Sequence, residues 1–319
     1  MKKILKPLLF AVVAALALAS CSSDDETTTP TVDNSITEIA SANADFSILV
    51  QALTRAELAS TLQADGDFTV FAPTNAAFTS FLSTAGFASI NDVPKDALKE
   101  ILLNHVITGT IKSTDLSTTY IKTMAKGTAS TTNNLSMFVN TANNAVKLNG
   151  VATVKTADIM ASNGVIHSVD AVIGLPTLVT HATANPNFSS LVGALTATGQ
   201  PDFVSILSGT GPFTVFAPDN AAFTALDAEL APTGIAGVSA ANLTKVLQYH
   251  VVSGNVLAAS LTEGQVVPTL QTPQSFTIEL TGGAKIKDAN GRMSTITATD
   301  VQCANGVIHV INKVLLPTL

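Results

Sequence analysis

The sequence has no tryptophan and only two tyrosines, Tyr120 and Tyr249. It therefore lacks the aromatic platforms on which bases and sugar rings stack. Its two cysteines, Cys21 and Cys303, are too few for a disulfide framework. Charged residues make up only 12% of the chain, and net charge is −7. Setting aside Lys2, Lys3 and Lys6 leaves 13 basic against 23 acidic residues, a net charge of −10. That sign repels a phosphate backbone, so no nucleic-acid partner is expected. There is no G-x-S-x-G elbow, no H-E-x-x-H, no C-x-x-C and no P-loop. The five histidines show no metal-ligand spacing. The chain is accordingly expected to be no enzyme and to need no cofactor or metal.

What the sequence does have begins at its start. Residues 1–20 read MKKILKPLLFAVVAALALAS, a cationic start followed by an apolar run from Leu8 to Ala19. This is the layout of a secretory signal, and the run is shorter than the roughly 20 residues of a membrane-spanning helix. It ends in Leu18-Ala19-Ser20-Cys21, which resembles the bacterial lipobox. The resemblance implies that Cys21 is acylated, for example with palmitate, and becomes the first residue of the mature protein. Multiple acyl chains, at about 0.8 kcal/mol per buried methylene, make such anchoring stable. Residues 21–34 are then the acylated cysteine and a Ser/Thr/Asp-rich tether, too polar to fold and roughly 20 Å from end to end as a coil. Asp24, Asp25 and Glu26 resemble the acidic stretch that directs some Gram-negative lipoproteins to the outer surface; the alternative is a merely solvating linker. The expected location is the cell envelope, lipid-anchored in the outer membrane, with surface exposure as one option.

The remainder is written twice. Residues 66–78 read GDFTVFAPTNAAF and residues 211–223 read GPFTVFAPDNAAF, identical at eleven of thirteen positions. HVITG at 105–109 is answered by HVVSG at 250–254, and NGVIH occurs at 163–167 and 305–309. A period near 143 is too long for a solenoid and indicates tandem complete domains, 35–177 and 178–319. In each, an aromatic and β-branched run such as Phe68-Thr69-Val70-Phe71 predicts a buried strand that stops at a proline. Thr74 and Asp219 stand where a helix N-cap belongs. Leu98, Ile101, Leu102 and His105 share one face of a second helix, as do Leu243, Val246, Leu247 and His250. Period-two stretches such as Leu135 to Leu148 read as hairpins, and Asn163-Gly164 as a tight turn before the last strand. Helices come mainly first and strands mainly later, which makes the class α+β.

These segments resemble the fasciclin domain. The carriers are FTVFAPTNAAF and FTVFAPDNAAF, LLNHVITG and LQYHVVSG, and NGVIH near each end. The resemblance implies a wedge of short β-strands with several α-helices packed around it, and extracellular adhesion.

The candidate binding residues follow from both sources. His105 and His250 end the apolar stripes of their helices. One reading is a core histidine bonded to backbone, with the helix C-terminus favouring its protonated form. The other comes from the resemblance: Tyr249-His250 matches an aromatic-His pair implicated in integrin binding in animal members, while the first copy has Asn104-His105. Adjacent helix residues point about 100° apart, which sets Tyr249 off the buried face of His250. Asp158-Ile159-Met160 resembles a second integrin-associated motif, whose carboxylate could complete a receptor-held divalent cation. Asp300-Val301-Gln302 departs from it. The alternative for Asp158 is an aspartate bonding its own turn. His167 and His309 are expected to pack in the last strands, His181 to sit at the surface, and Cys303 to be a half-buried hydrophobe.

The expected function is non-catalytic adhesion or interaction in the envelope. Partners would be an extracellular or matrix protein, a polysaccharide or a second copy of the chain, with the membrane engaged through Cys21. The alternatives are an apolar small-molecule binder and a structural spacer.

Overall fold

The computed structural model describes residues 34–64 and 66–319. The signal segment, Cys21 and the tether as far as Asp33 lie outside the described residues.

The first copy runs α1 (Ile36–Ala42), α2 (Ser47–Arg55), α3 (Ala59–Gln63), β1 (Phe68–Pro73), α4 (Asn75–Ala85), α5 (Lys95–Leu103), β2 (Val106–Thr108), β3 (Thr119–Gly127), β4 (Ser130–Asn140), β5 (Lys147–Leu148), β6 (Ala152–Ala161) and β7 (Gly164–Val169). The second runs α6 (Leu178–Ala184), α7 (Ser189–Leu195), α8 (Phe203–Ser208), β8 (Phe213–Pro218), α9 (Asn220–Glu229), α10 (Ala240–Tyr249), β9 (Val251–Ser253), β10 (Val266–Pro268), β11 (Ser275–Glu279), β12 (Lys285–Lys287), β13 (Met293–Cys303) and β14 (Gly306–Ile311). Each copy builds one seven-stranded sheet in the same order, β2-β1-β7-β6-β5-β4-β3 and β9-β8-β14-β13-β12-β11-β10. The pairs β1–β7 and β8–β14 are parallel.

The repeated motifs hold this arrangement. β1 is buried beyond its first residue and ends at Pro73. Thr74 then accepts the Ala77 N–H and caps α4; Asp219 does the same for α9 through the Ala222 N–H. The asparagine of NGVIH is a hub. Asn163 accepts the Ile36 N–H at the start of α1 and donates to the Leu62 and Ala64 carbonyls at the end of α3. Asn305 repeats this with Leu178, Leu207 and Gly209. The glycine that follows leaves its backbone against the Phe68 or Phe213 carbonyl, where a Cβ has no room.

Each sheet separates two apolar layers. On the helix side the first copy buries Phe46, Phe78, Leu98 and Leu102; on the strand side it buries Phe71, Met137, Leu148 and Ile173. The second copy repeats this with Phe188, Phe223 and Leu247, and with Phe216, Tyr249, Phe276 and Ile286. At about 1.5–3 kcal/mol per buried large side chain, either copy carries cores of its own.

The copies nonetheless meet. Strands β3 and β4 have 9 and 11 residues, whereas their counterparts β10 and β11 have 3 and 5. The long hairpin of the first copy lies on the second. Ala129 N–H and the Thr128 hydroxyl donate to the Ala304 carbonyl at 2.9 and 3.0 Å. Gln302 N–H donates to Ser136 Oγ at 3.0 Å, and Lys122 Nζ to the Asp300 carbonyl at 2.7 Å. Gly127 fits because a Cβ there would stand 2.5 Å from Ala304 Cα. Residues 34–319 form one compact unit as a result.

Candidate interaction site

His105 and His250 occupy identical settings. His105 Nδ1 donates to the Ile101 carbonyl at 2.8 Å, and Nε2 accepts the Ile173 N–H at 2.9 Å. His250 Nδ1 donates to the Val246 carbonyl at 2.7 Å, and Nε2 accepts the Leu315 N–H at 2.9 Å. A carbonyl only accepts and an N–H only donates, so the hydrogen must be on Nδ1 in both. The expectation that the helix C-terminus favours the charged form is overturned. Burial lowers both imidazoles to about 4, with the carbonyl bond opposing it. Desolvating an imidazolium outweighs the helix-end interaction of about 0.3–2 kcal/mol.

Tyr249 does point away from His250, but not to solvent. It is fully buried on the strand side, edge-on to Phe276 at 6.0 Å. Its hydroxyl donates to the Ser275 carbonyl at 2.7 Å and accepts the Ala289 N–H at 3.1 Å. Both faces of this helix end are covered, which periodicity alone cannot reveal. Asn104, its counterpart, is also buried; it donates to the Ile173 and Gly174 carbonyls and accepts from Thr123.

Asp158 has φ +59 and Asp300 φ +58, each at a break in the ladder to the last strand. The Asp158 carboxylate accepts Ser113 N–H at 2.8 Å and Ser113 Oγ at 2.5 Å. These bonds hold it below the usual carboxylate range. Asp300 accepts the Ala258 N–H in the same way. Their backbone N–H groups donate to His167 Nδ1 and His309 Nδ1, whose Nε2 atoms donate to the Ile111 and Val256 carbonyls. Both rings stack on a β-strand phenylalanine, His167 on Phe71 at 5.5 Å and His309 on Phe216 at 5.2 Å. Of the Asp158-Ile159-Met160 run, Ile159 leans on the helix-side core and Met160 is 51% exposed. Met160 is the most exposed side chain of the candidate set, and the Asp158 side chain is itself 36% exposed.

Two expectations for the second copy fail. His181 is not at the surface: it is fully buried between the copies, edge-on to Tyr120 at 5.3 Å. Cys303 is wholly rather than half buried, and burial raises its thiol. Tyr120, Lys122 and Ser136, which receive the second copy, carried no sequence signal of that role; the only hint was that the first copy's hairpin stretch is the longer.

Each copy also opens a cleft on its helical side. In the first it is about 510 Å³, between α2, α4 and the loop at Phe87–Asn91. In the second it is about 530 Å³, between α7, α9 and the segment from Ile235 to Leu243. A smaller apolar cavity of about 40 Å³ lies among α6, α7 and α8, lined by Leu178, Phe188, Leu191, Leu195, Phe203 and Leu207. Among the described residues no cluster of His, Cys, Asp and Glu could hold a metal ion, and no helix is long and apolar enough to cross a membrane.

A family model for the fasciclin domain matches residues 44–176 and 186–317. Among curated proteins, the chain is 37% identical over 173 residues to Protein sll1483 of Synechocystis sp., covering 53% of this chain and 90% of that one. It is 29% identical over 262 residues to human periostin, covering 80% of this chain and 29% of periostin. Among solved structures, a FAS1 domain pair from the insect cell adhesion molecule Fasciclin I aligns with a TM-score of 0.51 at 20% identity. That alignment covers 88% of this chain and 98% of the insect one.

Proposed function

The chain belongs to the fasciclin family, with the domain present twice, and from that premise we propose that it is a non-catalytic adhesion and interaction protein of the cell envelope. One observation carries this reading. His105 and His167 and their counterparts His250 and His309 are engaged inside the fold by the same bonds in both copies, and the partly exposed Asp158 and Asp300 are each tied to a neighbouring backbone N–H. What each copy offers outward is therefore surface, and the work is done by complementarity. The insect relative's description as a cell adhesion molecule agrees with this. The partner is an extracellular or matrix protein, a polysaccharide or a second copy of the chain. The lipobox-like Cys21 anchors the pair in the outer membrane, and many anchored copies multiply weak contacts.

Shape weighs against the small-molecule alternative: the two clefts of about 510 and 530 Å³ are wide open and partly polar, and the apolar cavities are small. A ligand pocket normally measures about 300–1,000 Å³. The apolar cavity among α6, α7 and α8, at about 40 Å³, has room for about three water-sized spheres.

The test is a strain lacking the protein, alongside the purified mature chain offered to matrix and envelope components. Reduced adhesion of the strain and saturable binding by the chain are expected. Unchanged adhesion together with no binding overturns the reading. Mass spectrometry of the mature protein checks acylation of Cys21 separately.

A further inference from the structure

Of the five histidines, His181 alone has no hydrogen-bond partner on either ring nitrogen. The Ser136 backbone lies beside the ring, but the two do not close a hydrogen bond of good geometry. The other buried polar atom without a partner, among the described residues, is Asn149 Nδ2. Asn149 belongs to the same seam: the adjoining Gly150 approaches Ala184 at the end of α6, with 3.2 Å between a Cβ placed there and Ala184 Cα. Each copy is otherwise well satisfied internally, so unmet polar groups gather where the copies meet. An unmet buried polar group carries a desolvation cost that contact with water would recover.

The charged and titratable groups around His181 come from several elements. From β3 come Tyr120, whose hydroxyl accepts from Asn185, and Lys122, which donates to Ser136 Oγ and the Asp300 carbonyl. β4 supplies the Ser136 backbone. β13 supplies the buried Cys303 thiol and Asp300, whose carboxylate is turned to the Ala258 N–H. α7 and α8 carry no titratable side chain, and β14 carries only His309, stacked on Phe216. No free carboxylate meets the imidazole, and the nearest charge of consequence is the cation of Lys122.

We propose that this seam is an acid-released latch, in which protonation of His181 drives the β3–β4 hairpin off the second copy and frees the two domains from each other while each stays folded. A buried imidazolium here would have the Ser136 backbone as its one acceptor, too little to offset its desolvation, and a like charge beside it. Separation would hydrate it, together with Lys122 and Asn149. Burial sets the closed-state imidazole at about 3, with Lys122 adding to the effect. The open state restores the ordinary value of about 6.5. The open form therefore binds the proton more tightly, and acid favours it. The open-to-closed ratio rises up to about tenfold per pH unit below 6.5, about 30-fold by pH 5. His105 and His250 are not equivalent triggers, since each lies within one copy with both nitrogens bonded. The latch stands independently of what the protein adheres to.

Hydrogen exchange on the full chain tests it. After correction for intrinsic rates, protection of the Ala129 and Gln302 amides should fall about 30-fold between pH 7.5 and pH 5. The radius of gyration from X-ray scattering should rise as the open form accumulates, with far-UV circular dichroism unchanged. His181→Phe should hold the protection of both amides nearly constant, and Lys122→Met should leave the onset of the fall near pH 6.5, which the open state sets. Should the phenylalanine variant not fold, His181→Gln, also neutral at every pH, serves with the same expectation. An equal fall in the neutral variants overturns the proposal. So does constant protection in the unaltered chain, or seam opening only together with loss of secondary structure.

Discussion

The Nε2 atom of His250 accepts the backbone N–H of Leu315 at 2.9 Å, tying the end of α10 to the segment that leaves the second sheet. His105 does the same for Ile173, where the chain leaves the first copy. A residue that reads as a binding candidate from sequence is thus a strap. It needs a neutral ring with one donor and one acceptor, which only histidine supplies at neutral pH.

Replacing either strap should cost stability, and so should acid. His250→Ala leaves the Leu315 N–H without its partner in a buried place, worth about 2–3 kcal/mol. The sign of the pH effect follows from the shift. The unfolded imidazole takes its proton near 6.5 and the folded one only near 4. Stability is fully present above 6.5 and is lost as pH falls toward 4, on the order of 3 kcal/mol per histidine. Urea unfolding at pH 7 and pH 4.5 measures both. A variant whose acid loss equals that of the unaltered chain would contradict the assignment.

Tyr249→Phe separates the adhesive reading of this residue from the structural one. The ring stays packed on Phe276, while the Ser275 carbonyl and the Ala289 N–H lose their partner. Thermal unfolding should show a loss of about 1–2 kcal/mol. Partner binding at a temperature where the variant is folded should be unchanged. A binding loss without a stability loss would place the hydroxyl at the interface instead.

Asp158 lends itself to a paired test. Asparagine also tolerates the left-handed backbone at φ +59 and can still accept the Ser113 N–H, so Asp158→Asn should be nearly neutral. Asp158→Ala loses both and should cost about 1 kcal/mol, as Asp300→Ala should in the second copy. Neither should change binding to a surface in the presence or absence of divalent cations. A cation-dependent loss confined to the Asp158 variants would restore the carboxylate as a metal ligand in adhesion.

The sequence carried much of this fold because its landmarks are structural parts that must recur wherever the fold does. FTVFAP is a strand buried nearly throughout, the next residue is a cap, and NGVIH supplies a three-way hub and a glycine with no room for a side chain. The candidate site was less legible for the same reason. Tyr249 obeys helical spacing and leaves the face of His250, yet a second apolar layer on the far side of the sheet covers it. His181 stands alone in the sequence, and its burial depends on Tyr120 arriving from a hairpin about sixty residues earlier. Periodicity within one element reports one interface and says nothing of a second.

Gly127 offers a way to open the seam without touching a titratable group. A Cβ at this position would stand 2.5 Å from Ala304 Cα, and the obstacle is backbone that cannot rotate aside. Gly127→Val should lift the hairpin tip from the second copy and leave the separate cores of each copy in place. With no tryptophan and two tyrosines, the chain reports this by its own absorbance. Burial at the seam raises the Tyr120 phenol well above its ordinary value near 10, while Tyr249 is pushed up to about 12 within one copy. In the variant, one tyrosine should ionise near pH 10 and the other should stay near 12. In the unaltered chain neither should ionise near 10. If the two titrations coincide, Tyr120 owes its environment to the first copy alone, and the seam does not hold the ring.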